Sequence, residues 1–204
     1  EFNSYIWVID AHPEDINVAD YVKPNGEKVM RTVADYRQLN DALFHAGTGS
    51  GSLCEWVDEP NRLHFYVVDL RRDQNGILVY KLAVRSLDGA GPRTRGVTLA
   101  VSSRPKVKGP DTPVGFTLKN TGQPGGPAEY FESDVYRLSA TVEGKGWSVR
   151  LLNGLAAVRA GASAPVAVYV SCEAGASKTA SVTLRAVSES DPGQAAAAVV
   201  KISR

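Results

Sequence analysis

Three histidines, His12, His45 and His64, supply all the imidazoles of the chain. A zinc centre needs three or four His, Cys or carboxylate ligands, two of them commonly from one short motif, and no two of these histidines stand at such a spacing. His12 shares its segment, IDAHPEDINVAD, with Asp10, Glu14, Asp15 and Asp20. Hard oxygen donors crowded in that way suit calcium better than a softer metal. A polar turn that ends one strand and caps the next segment uses the same residues with no ion. Asp10, His12, Glu14, Asp15 and Asp20 are therefore the candidate metal residues, and calcium is the candidate ion.

Other residues point less directly to chemistry. His64 lies between Leu63 and Phe65-Tyr66 in an alternating run, where it reads as a packed or half-exposed sheet residue. Asp73-Gln74-Asn75-Gly76 resembles the start of an EF-hand loop but lacks its later bidentate Glu, and a hairpin turn accounts for all four residues. Ser50, Ser52 and Cys54 sit in or beside AGTGSGS; a nucleophile needs a rigidly held base, which so glycine-rich a loop does not supply. Surface aromatics are what a carbohydrate platform would use, and Tyr130, Phe131 and Trp56 are the candidate binding residues. Trp147, at the head of a strand-like run, is expected in a core instead. Nothing resembles a phosphate-binding loop or a basic cluster alternating with aromatics, so nucleic acid is not an expected partner.

Composition sets the frame for these groups. A hydrophobic content of 43%, a charged content of 22% and a formal charge of +1 describe a folded chain with no global field to draw in a polyanion. No apolar run reaches the roughly 20 residues that span a bilayer, and the first residues lack the basic start and cleavage site of a signal peptide. A soluble, processed or truncated chain is expected. The two cysteines, Cys54 and Cys172, read either as separate thiols or as an inter-domain disulfide of an exported protein.

The elements that must position these residues are mainly β. Tyr5 to Ile9, YIWVI, is a strand ended by Pro13's corner; Val29 to Phe44 is mixed or irregular. LHFYVVDL and ILVYKLAV flank the Asn75-Gly76 turn as a hairpin, and GVTLAV is a further strand. Ser102 to Pro113, with three prolines and little apolar content, reads as a linker. After it come about seven short strands over a length near the roughly 100 residues of an Ig-like sandwich. Within them YRLSATVEGKGWSVRL is expected to form a central hairpin. The expected organisation is a β-rich domain over 1–101, a linker over 102–113 and an Ig-like β-sandwich accessory module over 114–204.

Two resemblances bear on function. GFTLKNTG, ATVEGKGWSVRL, VRAGASAPVAVYVS and TASVTLRAVSESDP in residues 114–203 resemble the bacterial Ig-like module known as the NPCBM-associated or alpha-galactosidase-associated domain, which implies an accessory module of secreted hydrolases and no enzymatic activity of its own. IWVIDAHPEDI followed by YRQLNDALF resembles the segment after the catalytic core in immune inhibitor A-type secreted zinc metallopeptidases. That likeness implies a parent catalytic domain upstream. The family's zinc motif, H-E-x-x-H, is absent from the chain, so no catalytic residue carries over. The resulting expectation is a non-catalytic, secreted, extracellular accessory or substrate-targeting region of an actinobacterial-type metallopeptidase, meeting a protein or polysaccharide substrate. A carbohydrate-binding or cell-surface adhesion module is the alternative, and an enzyme with an unrecognised N-terminal site is a third class.

Overall fold

A computed structural model describes Gly26 and residues 55–107, 109–123 and 132–204. These residues form eleven strands. In chain order they are β1 (Glu55–Asp58), β2 (Leu63–Arg72), β3 (Leu78–Ser86), β4 (Val97–Val101), β5 (Thr112–Asn120), β6 (Ser133–Glu143), β7 (Trp147–Leu151), β8 (Leu155–Arg159), β9 (Ser163–Cys172), β10 (Thr179–Ser188) and β11 (Ala195–Ser203). They make three antiparallel sheets, ordered β1-β2-β3, β4-β5-β9-β7 and β11-β10-β6-β8. The mainly β class read from the sequence is the observed one.

The two four-stranded sheets pack face to face because their strands alternate. In β5 the inward series is Val114, Phe116, Leu118 and Asn120; in β10 it is Ala180, Val182, Leu184 and Ala186, all at or near zero exposure. Such alternation puts one face on the core and the other in water. Trp147 is buried in this core as expected, its indole N–H donating to Ser177 O at 3.0 Å.

Two expectations about connectivity need correction. YRLSATVEGKGWSVRL does not form a hairpin: β6 pairs with β10 and β8, whereas β7 pairs with β9 in the opposite sheet. Gly144 and Gly146 form a corner that crosses between sheets. A Cβ on Gly144 would meet Ala180 Cβ at 2.7 Å, and Gly146 sits at φ +74°, so the corner needs close approach and a left-handed residue together. The stretch expected as a linker, 102–113, joins β4 to β5 within one sheet. Its Val107 is 3% exposed and donates its N–H to Ser203 O at 2.8 Å. A few main-chain bonds and one buried valine hold a proline-rich segment in place where composition alone reads as a spacer.

The β2–β3 hairpin is as expected, with Gly76 at φ +79°. Asp73 Oδ1 accepts from the N–H groups of Asn75 and Ile77 at 2.8 and 2.9 Å, so that carboxylate serves the turn. The three-stranded sheet lies against the sandwich through Tyr66, Val68, Val135 and Leu155.

Burial at Phe116 sets a stability prediction. Phe116→Ala should lower unfolding free energy by about 3–5 kcal/mol, while Val199→Ala, at a side chain 59% exposed, should change it by less than about 0.5 kcal/mol. Urea unfolding followed by tryptophan fluorescence measures both; equal costs would overturn the assignment of the core.

Candidate functional site

Alternation in β2 sends His64 and Tyr66 to the face that meets the sandwich and Phe65 to the other, where its β1 partner Trp56 joins it. Register then places Glu55 beside Tyr66, and Arg85 beside His64. From the sandwich, Arg137 on β6 and Glu189, just past β10, reach the same point. Arg137 Nη1 and Nη2 donate to Oε1 and Oε2 of Glu55 at 3.0 and 2.8 Å. Its Nε and Nη2 donate to Oε1 and Oε2 of Glu189 at 2.7 and 3.2 Å. The Tyr66 hydroxyl donates to Glu189 Oε2 at 2.8 Å and accepts from Arg85 Nε at 2.7 Å.

His64 completes the cluster. Its ring stacks on Tyr66 with centroids 4.0 Å apart. Its Nδ1 lies 2.8 Å from the Tyr66 hydroxyl and 3.4 Å from Arg85 Nη2. Nε2 stands 3.0 Å from Glu55 Oε2 but is buried without the alignment of a hydrogen bond.

The electrostatics follow from these contacts. Hydrogen bonds from Arg137 hold the Glu55 carboxyl below its usual value, against burial that would raise it. Burial also pushes Glu189 up, and the hydrogen bonds from Arg137 and Tyr66 outweigh it, so that carboxyl too lies low. Burial drives His64 down despite the charge of Glu55, and burial drives the Tyr66 hydroxyl up. Two carboxylates thus face two guanidiniums, with a neutral imidazole between them. Beside the cluster a cleft of about 550 Å³ follows β3, lined by Lys81, Arg85, Arg93 and Arg95, with Val135 and Ala157 across from it.

Asp10, His12, Glu14, Asp15 and Asp20, the residues expected to hold calcium, lie outside the described residues, as do Tyr130, Phe131 and Cys54. Trp56 is 42% exposed and stacks on Phe65 at 5.6 Å, on the face turned away from the cluster. Cys172 is a half-buried free thiol on β9. The cluster escaped sequence reading because Glu55 and Glu189 are far apart in the chain. The one local signal was the shared face of His64 and Tyr66.

A sequence profile described as a peptidase M6-like domain matches residues 96–204, and one described as a middle domain matches residues 1–87. A protein of Arthroderma benhamiae named "Putative secreted metallopeptidase" is 44% identical over the whole chain, which spans 32% of that relative's length. Among solved structures, a FixG-related protein from Vibrio parahaemolyticus aligns with 12% identity and a TM-score of 0.36, over 54% of this chain and 96% of that one.

These matches correct the expectation that the chain, as a non-catalytic region, is not itself an enzyme: more than half of it matches a peptidase-like profile, and a relative carries the name of a metallopeptidase. The metal such a name implies does not fit the cluster. Atoms of Glu55, His64 and Glu189 lie within 4.8 Å of one another, as ligands must. Every carboxylate oxygen there already accepts from Arg137, however, and a divalent cation would enter against the charge of that guanidinium.

The shifts set a pH dependence. His64 titrates below its ordinary 6.5 in the folded chain, so the unfolded chain takes up a proton first and stability drops as pH falls below about 6.5. Glu55 and Glu189 titrate below their ordinary 4.5. Their contribution is complete above about pH 4.5 and is lost as pH falls through their folded values. Arg137→Met should cost about 1–2 kcal/mol at pH 7, less than a fully buried pair because Arg137 is 46% exposed, and should flatten the loss below pH 4.5. Melting temperatures from pH 3 to 8 measure this; parallel profiles for both proteins would overturn it.

Proposed function

The chain belongs to the peptidase M6-like domain family, and from that premise we propose that it is part of a secreted metallopeptidase and holds that enzyme's peptide substrate. The observation that carries the reading is the profile match over residues 96–204, to which a relative named as a secreted metallopeptidase adds identity along the whole chain. The geometry supports a holding role. The Arg137 bridge fixes a small sheet against a sandwich, and a substrate-sized recess lies beside it. A site that positions a substrate gains from elements that do not move on binding, because ordering costs are met before the substrate arrives.

Secretion enters the reading from the relative's name, and among the described residues no helix is long and apolar enough to cross a membrane.

Hydrolysis of casein by the full-length protein, with and without a chelator, tests the reading. Chelator-sensitive cleavage is expected. Arg137→Met in that protein should raise KM several-fold with kcat nearly unchanged, since it loosens the platform and leaves the reacting groups alone. Absence of chelator-sensitive cleavage would overturn the reading, and a fall in kcat at constant KM would overturn the holding role.

A further inference from the structure

The outer edge of β3 borders the cleft, and hydrogen bonds at both ends of the hairpin fix which of its main-chain groups are open. Leu87 N–H donates to Arg62 O, and Asp73 N–H donates to Ile77 O. Counting inward through the register, Tyr66↔Ala83 and His64↔Arg85 are hydrogen-bonded pairs, whereas Val67↔Leu82 and Phe65↔Val84 are not. The N–H and C=O groups of Leu82 and Val84 therefore point away from β2. Among the described residues no strand lies beyond β3, and the side chains of Leu82 and Val84 are 65% and 43% exposed.

The wall of the cleft is cationic. Lys81 Nζ donates to Ala157 O at 3.0 Å and Arg95 Nη1 donates to Ser133 O at 3.2 Å; both acceptors are neutral carbonyls. Arg95 Nε is buried with no hydrogen-bond partner. The acidic residue among the described lining, Asp88, is paired with Arg62 at 2.9 Å. An open strand edge recognises extended main chain, whatever its sequence, and cations set along that edge select the side chains that accompany it.

We propose that this cleft binds an extended acidic peptide, which adds to β3 as a further strand through Leu82 and Val84 and sets its carboxylates against Lys81 and Arg95. The inference rests on the reading of this region as one that holds peptide substrate, and it names the class: segments free to extend and rich in Asp or Glu. It concerns binding and is tested apart from hydrolysis.

The test is fluorescence anisotropy of the 204-residue chain with a labelled peptide alternating Glu with Val. Three control peptides accompany it, one with Lys for Glu and two N-methylated at every second amide, one in each register. Saturable binding of the acidic peptide is expected, with at least tenfold weaker binding of the Lys peptide and of one N-methylated register. Lys81→Glu and Arg95→Gln should each weaken the acidic peptide about tenfold, with circular dichroism unchanged; should either variant misfold, the N-methylated peptides alone decide. Equal binding of all peptides, or none of the acidic one, overturns the proposal. Acidic-peptide binding in a protein that does not cleave casein would leave this inference standing and remove the peptidase reading, and cleavage without binding would do the reverse.

Discussion

Arg137 leaves β6 and meets carboxylates from two distant parts of the chain, Glu55 82 residues before it and Glu189 52 residues after it. Each carboxylate is partly withdrawn from water, Glu189 with only 13% of its side chain exposed. Withdrawal of an unpaired charge is unfavourable, and a hydrogen-bonded guanidinium is the arrangement that offsets it most completely. The bridge is directional as well, because a planar guanidinium donates only in fixed directions. β1 carries Glu55 and the loop after β10 carries Glu189, so the orientation of the small sheet on the sandwich depends on that plane.

Apolar contact alone would not fix that orientation. The seam holds Tyr66, Val68, Val135 and Leu155, with Ala83 and Ala157 at its margin, a small cluster beside the sandwich core. Apolar burial stabilises contact without choosing among nearby angles, whereas the bonds from Arg137, Tyr66 and Arg85 hold only one. Tyr66 serves both: its ring is buried in the cluster and its hydroxyl joins Arg85 to Glu189. Arg85 also lines the cleft, so the bonds that set the seam set the shape of the recess.

What the sequence made legible was strand identity more than strand partnership. LHFYVVDL, ILVYKLAV and TASVTLRAVS declare themselves by alternation, and Asn75-Gly76 declares its turn, because both signals are local. The crossing from β6 to β7 hides for the opposite reason: Gly144 and Gly146 look like hairpin residues, and only the approach of β10 decides that they turn a corner. Residues 102–113 misled in the same way, since a segment held by the N–H of Val107 has the composition of a spacer. The Glu55–His64–Glu189 cluster is assembled by packing from three separate stretches, and no spacing in the chain records it.

Lysine and arginine on a strand edge have a second use, since charges there discourage edge-to-edge association between molecules. That explanation requires the charges to stand in open solvent, where an approaching strand would bury them at a cost. Here Arg95 lies partly buried against Ser133 O, and Lys81, itself exposed, is held on Ala157 O. Both face a recess that an incoming strand would enter, and both meet it with donors held by neutral acceptors. An apolar strand would strip water from these cations and give nothing back, while a strand bearing carboxylates would exchange hydration for charge-assisted bonds. Protection against general association and selection of an acidic partner are therefore the same arrangement seen from two ligands: the edge is closed to most strands because the charges that line it require an opposite one.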